Sequence, residues 1–175
     1  MASTNSTASE LSRYTGTWRL NPAKTTVDFR TKAMWVLPVK GTAKALSGEA
    51  QIDADGDVKG TLVIDAGSFD TKNKKRDDHL RTADFFEVVK YPAVSFTAHS
   101  VRSTGSGRFE VDGVLTVHGR SQPVTLNAEV SGGGVSSATV TTEVEIDRSL
   151  FGLSWSKMGA GLKNQVTIRA HFDRA

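Results

Sequence analysis

Apolar and polar residues alternate in short runs along most of this chain, and Gly, Asp, Asn and Ser punctuate the runs. Alternation with a period of two marks strands covered on one face. Trp18-Arg19-Leu20 opens the pattern and Asn21-Pro22 turns it. Val27 and Phe29 then alternate with Asp28 and Arg30. Ala50 and Ile52 lead to the hairpin residues Asp55-Gly56-Asp57, after which Val58, Gly60, Leu62 and Ile64 share a face. Val94, Phe96 and Ala98 form the next strand, and a Gly/Ser turn leads to Phe109, Val111, Gly113, Leu115 and Val117. Val124, Leu126, Ala128 and Val130 follow, then Val140, Val144 and Ile146, and finally Ile168, Ala170 and Phe172. Seven or eight strands with short connections predict an all-β fold, an antiparallel barrel of about eight strands around one interior. Phe29, Leu62, Ile64, Phe96, Leu115, Leu126, Val144 and Ile168 are expected to share that interior. The small inward residues Gly60, Ala98, Gly113, Ala128, Ala138 and Ala170 fit a ligand-holding barrel and a collapsed one alike.

The alternation breaks in three places. Between residues 68 and 91, charge and aromatics crowd around one short helix inserted mid-chain. Asn73 suits its N-cap, and Asp77 stands four residues before Arg81, the spacing of an ion pair on one helical face. Leu80 is the only strong apolar residue from 74 to 81, so Leu80, Phe85 and Phe86 are expected to pin a charged helix over the barrel end. The second break, Met34-Trp35-Val36-Leu37-Pro38-Val39, is either a buried strand or an apolar loop at a cavity mouth. The third is Gly-rich, from 154 to 162, and carries Trp155 and Met158.

Residues 1–13 are Ser/Thr-rich without period and read as a disordered tail before a single domain at 14–175. A net charge of +3 is too small to point to nucleic acid, and the local basic cluster Lys72, Lys74, Lys75 and Arg76, followed at once by Asp77 and Asp78, is either a solvated helix start or a rim that meets phosphate. The chain has no Cys, hence no disulfide framework and no thiolate chemistry. Its first ten residues hold no apolar run, and no stretch approaches the roughly 20 apolar residues of a membrane helix. The expected location is cytoplasmic.

His79, His99, His118 and His171 show no metal-ligand spacing, so neither a metal nor another cofactor is expected, apart from a bound lipid. Asp77, Asp78 and His79 beside Arg76 and Arg81 make either a hydrogen-bond network that fixes the helix or a polar gate for a ligand head group. No catalytic residues are assigned.

Asp70-Thr71, Arg76-Asp77-x-His79-Leu80-Arg81, Asp84-Phe85-Phe86 and Tyr91-Pro92 together resemble the signature of the YceI-like family of polyisoprenoid-binding, lipocalin-like proteins. Gly113 to Gly119 resembles the family's G-x-L-T-x-H-G strand, and Ile146-Asp147-Arg148 with Phe151-Gly152 resembles its late turn. The resemblance implies a lipocalin-like barrel that binds or carries a long-chain amphiphile, a polyisoprenoid or related lipid, without catalysis. Met34, Trp35, Phe85, Phe86, Phe96, Leu115, Phe151, Trp155 and Met158 would then hold the tail, and Arg76, Asp77, His79 and Arg81 the head group. Two other classes compete: a structural or stress-response barrel acting through protein partners, and a hydrolase or isomerase built on Asp77 and His79. An exposed strand edge would also suit a homodimer.

Overall fold

Ten strands form one antiparallel sheet in the computed structural model, which describes residue 7, residues 9–132 and residues 134–175, the side chain of Met158 excepted. They are β1 (Gly16–Leu20), β2 (Thr26–Ala33), β3 (Leu37–Ala43), β4 (Ala45–Ile52), β5 (Val58–Asp65), β6 (Ala93–Gly105), β7 (Arg108–Val117), β8 (Arg120–Ser131), β9 (Ser137–Asp147) and β10 (Lys163–Arg174). β1 and β2 lie end to end along β10, with Leu20 opposite Phe172 and Val27 opposite Ile168. β3 and β4 are likewise two halves of one bent strand, parted only by Lys44. β1 pairs with β4 and β2 with β3, so the ring closes as an eight-stranded lipocalin-like barrel. The break between β1 and β2 has a local cause. Pro22 cannot donate to a ladder, and Pro22–Lys24 winds into a 3-10 turn instead. Asn21 and Thr25 still tie that turn to β10, each through the backbone of His171.

The eight residues expected to share the interior all face one cavity. Cross-strand register explains why a hollow remains. Ala50 lies opposite Gly60, Gly60 opposite Ala98, and Ala98 opposite Gly113, so small residues form a row across β4, β5, β6 and β7. Leu62, Phe96, Leu115, Leu126, Val144 and Ile168 stay half-buried because they border that hollow. The tightest apolar packing gathers Val27, Ile64, Val94, Val117, Phe151 and Leu153 near the end that carries the helix α1 (Lys74–Leu80).

The opposite end is capped by the N-terminal segment. Residues 9–11 are helical, Ser12–Tyr14 form a 3-10 turn, and Leu11 is 4% exposed. Within the expected tail, residues 9–11 thus have helical backbone; residues 1–6 and 8 lie outside the described residues. Leu11, alone among polar neighbours, gains burial against Tyr14 and Trp18, with which it lines the cavity floor. The Trp18 indole donates to the Tyr14 carbonyl at 2.7 Å, and the Arg174 guanidinium stacks 4.4 Å over the Trp18 ring. Arg174 also donates to the carbonyls of Arg13, Thr15 and Val135, stapling the C-terminal strand to this cap.

Candidate functional site

The barrel encloses an apolar cavity of about 790 Å³, which runs from Leu11 and Trp18 at the capped end to Arg76, His79 and Trp155 at the other. Three segments build the mouth: the β2–β3 hairpin, the loop at 153–162, and α1. The first two are joined directly. The Trp35 N–H donates to the Gly159 carbonyl at 3.1 Å, and the Gly161 N–H donates to the Lys32 carbonyl at 2.6 Å.

Asn73 caps α1 as expected, accepting from the Arg76 N–H at 3.0 Å. The expected Asp77–Arg81 pair does not form. The helix ends at Leu80, leaving Arg81 as its C-cap, and there it meets Asp78 at 3.0 Å and the Gly67 carbonyl at 3.1 Å. Asp77 turns inward and is buried. It accepts the Thr71 N–H at 3.0 Å and the Thr71 hydroxyl at 2.6 Å, and Arg76 completes the knot by donating to the same hydroxyl at 2.8 Å. Asp77 and Arg81 thus do not line the cavity, whereas Arg76 and His79 do. His79 contacts Asp84 at 2.8 Å and packs edge-on against Phe85 and Trp155. Because Asp77 is committed to Thr71, it forms no acid–base pair with His79. Asp77→Ala is expected to cost about 2–3 kcal/mol, because two buried donors of Thr71 lose their acceptor. Thermal and urea midpoints measure it, and an unchanged midpoint would show that this contact does not hold the helix.

Of the residues expected along a ligand tail, Met34, Phe85, Phe86, Phe96, Leu115, Phe151 and Trp155 line the cavity. Phe85 and Phe151 are packed tightly, Phe86 stacks on Phe69 with ring centres 4.5 Å apart, and Trp155 stands at the mouth. Trp35 does not line it. The run from Met34 to Val36 is the exposed hairpin turn, whereas Leu37 to Val39 begins β3 with Val39 buried, so the stretch is loop in its first half and strand in its second. The side chain of Met158 lies outside the described residues.

Arg148 does more than its place in a turn suggested. Buried beneath the 153–162 loop, it donates to the carbonyls of Gly161 at 2.9 Å, Leu153 at 2.6 Å and Ala160 at 3.3 Å, with its guanidinium 5.2 Å from the Phe85 ring. Burial pushes its pKa down from the ordinary arginine value, and neighbouring Asp147 partly restores it. Asp147 accepts from Ser149, which holds its carboxyl below the usual carboxylate value. His118 contacts Glu87 at 3.2 Å and packs on Tyr91, tying the segment after α1 to the β7–β8 turn.

The charges of the mouth are one-sided. Lys32, Lys75, Arg76 and Lys157 border the cavity beside the His79 ring, whereas Glu49 on β4 is the one carboxylate among the described lining residues. No ion pair among the described residues engages Lys32, Lys75, Arg76 or Lys157, while Asp78 and Asp84 are held by Lys74, Arg81 and His79. Sequence reasoning missed Lys32 and Lys157, whereas Lys75 belongs to the basic cluster already visible beside Arg76. The visible sign was the absence of any acidic residue from 29 to 48 and from 148 to 172. Among the described residues no group of three metal-ligating side chains converges, and no helix is long and apolar enough to cross a membrane.

Comparison with known proteins agrees with this architecture. The model of the YceI-like domain matches residues 18–173. A UPF0312 protein of Vibrio cholerae serotype O1 is 32% identical over 114 residues, 64% of this chain, and the chain spans about 60% of that relative's length. The crystal structure of Burkholderia cenocepacia BcnA superposes with a TM-score of 0.78 at 25% identity, covering 87% of this chain and 98% of BcnA. A polyisoprenoid binding domain from Saccharophagus degradans shares the fold, with a TM-score of 0.71 at 14% identity, covering 90% of this chain and 98% of that one.

Proposed function

The chain belongs to the YceI-like domain family, and from that premise we propose that it binds one long-chain amphiphile, a polyisoprenoid or related lipid, without transforming it. The observation that carries this reading is an apolar hollow of about 790 Å³ opening at a cationic rim. Such a volume sits within the roughly 300–1,000 Å³ of ligand pockets. At about 30 Å³ per water-sized group it has room for on the order of 25 of them. Each buried methylene contributes roughly 0.8 kcal/mol, so ten supply about 8 kcal/mol, the scale of a micromolar dissociation constant. A charge-assisted hydrogen bond adds about 1.5–3 kcal/mol. The tail therefore sets the affinity, and the rim of Lys32, Lys75, Arg76, His79 and Lys157 selects an acidic head.

Native mass spectrometry of purified protein, followed by organic extraction, should find a single long-chain lipid per barrel. Titration with a long-chain alcohol and its phosphate then tests the rim. Arg76→Ala should weaken the phosphate by roughly tenfold and leave the alcohol nearly unchanged. Arg81→Ala should alter neither, since Arg81 faces Asp78 and Gly67 rather than the cavity. Equal losses for both ligands in Arg76→Ala would remove the head-group assignment.

A further inference from the structure

We propose that the tip of the β2–β3 hairpin is a docking element for an anionic lipid bilayer and seats the cavity mouth on that surface. Among the described residues, four of the eight exposed large apolar side chains fall in this one tip: Met34 at 53%, Trp35 at 75%, Val36 at 74% and Leu37 at 52%. They are consecutive in the chain. Met34 and Trp35 hold consecutive left-handed backbones, with φ of 50° and 64°, a conformation that suits Asn and Gly and disfavours bulky side chains. A turn that merely joined two strands would be easier to make from other residues. What these residues supply is an apolar wedge carrying a Trp, the residue that favours the boundary between water and lipid.

The charges around the wedge name its partner. Arg30 lies directly opposite Lys40 across the hairpin, a repulsive pairing, and Lys32 follows towards the tip. Lys157 stands on the loop to which Trp35 and Lys32 are hydrogen-bonded. None of these four cations has an ion-pair partner among the described residues, and positions 29–48 and 148–172 contain no acid. A second copy of this chain would bring the same cations face to face. An anionic bilayer accepts both features, the wedge into its boundary region and the cations at its head groups. Docking needs no cavity ligand. Its use, passing a tail between bilayer and barrel, rests on the lipid-binding reading above.

The test is cosedimentation with sucrose-loaded vesicles of phosphatidylcholine alone or mixed with phosphatidylglycerol. The protein is expected to bind the mixed vesicles, to bind neutral ones far less, and to release from the mixed ones at high salt. Trp35→Ser should weaken binding by roughly tenfold. Lys40→Glu should weaken it by more than roughly fivefold. The double variant Met34→Asn/Trp35→Gly should melt higher than the parent, because both replacements accept a positive φ, and yet fail to dock. Brominated lipid should quench the parent's fluorescence more than that of Trp35→Ser. Full vesicle binding by either Trp35 variant would overturn the proposal. So would equal binding to neutral vesicles, or a dimer that Trp35→Ser turns into a monomer. Displacement of an anilinonaphthalene dye reads the cavity separately, and Trp35→Ser should keep the parent's dye affinity. A parent that binds no dye would defeat the cavity reading and leave docking to the vesicle result.

Discussion

Replacing Arg148 with Met is expected to lower the stability of the barrel by about 3 kcal/mol and to loosen the loop at 153–162. Met keeps much of the length and apolar stem of Arg, so packing against Phe85 is largely retained. What disappears is the donor to three carbonyls, those of Leu153, Ala160 and Gly161. A buried acceptor left without a donor costs about 1–3 kcal/mol, and relaxation of the loop towards water offsets part of that sum. Arg148→Lys should recover only part of the loss, because one ammonium cannot span three carbonyls that a planar guanidinium reaches. The same loop supplies Lys157 and Trp155 to the mouth and the carbonyl that Trp35 hydrogen-bonds. A bound amphiphile should therefore leave faster from Arg148→Met than from the parent. Hydrogen exchange across 153–162 and dissociation kinetics measure the two effects. A protected loop in the variant would show that it is held by something other than Arg148.

Residues that carry the family pattern hold the connections of the helix end in place, and several of them, Asp77, His118 and Asp147 included, do not line the cavity. Asp77 fixes Thr71, His118 contacts Glu87, Asp147 orders the turn at Ser149, and Arg148 gathers the loop that follows. A hollow barrel needs such devices. Its interior lacks the side chains that would otherwise fix the connections by packing, so buried polar contacts specify their positions instead. Arg76 and His79 are motif residues that also reach the ligand space.

The strands were legible because each presents one face to the interior and one to solvent, and period-two alternation survives that arrangement intact. The charged helix and its Asn73 cap were legible for an equally local reason. The failures have physical causes. Asp77 and Arg81 have ion-pair spacing, but Arg81, the αR C-cap of the helix, pairs with Asp78 instead. Side-chain direction then decides, and Asp77 finds the Thr71 donors closer. Leu11 is inconspicuous in a polar tail, yet an open barrel end offers one apolar side chain a place to be buried. Composition alone points Trp35 at the cavity, and a hairpin turn puts it outside. The small interior residues were visible one by one. Their alignment into a row was not, because it depends on register between four strands.

That row yields the sharpest test of the cavity. Gly60→Phe is expected to weaken long-chain ligand binding by roughly 100-fold while leaving the fold at least as stable. A Cβ at Gly60 would meet only the Glu49 carbonyl at 3.5 Å, Ala98 at 3.7 Å and Ala50 at 4.0 Å, all ordinary contacts. The backbone there is not left-handed, and the side chain would project into the cavity that Gly60 lines. By contrast, a Cβ at Gly113 would collide with the Phe96 ring at 2.5 Å and with the Thr97 carbonyl, so the same exchange at Gly113 would disrupt the barrel. The ring introduced at position 60 would gain apolar contacts in the hollow, and loss of a flexible glycine in a strand adds a further roughly 0.5–1 kcal/mol of stability. It would also take the place of about four methylenes of ligand, which at roughly 0.8 kcal/mol each is about 3 kcal/mol, or two decades in affinity. Shorter chains should be penalised less than longer ones, since they can avoid the filled region. Binding of a long-chain probe by Gly60→Phe at the parent's affinity, in a variant with an unchanged or raised melting temperature, would mean that the ligand does not occupy the barrel interior.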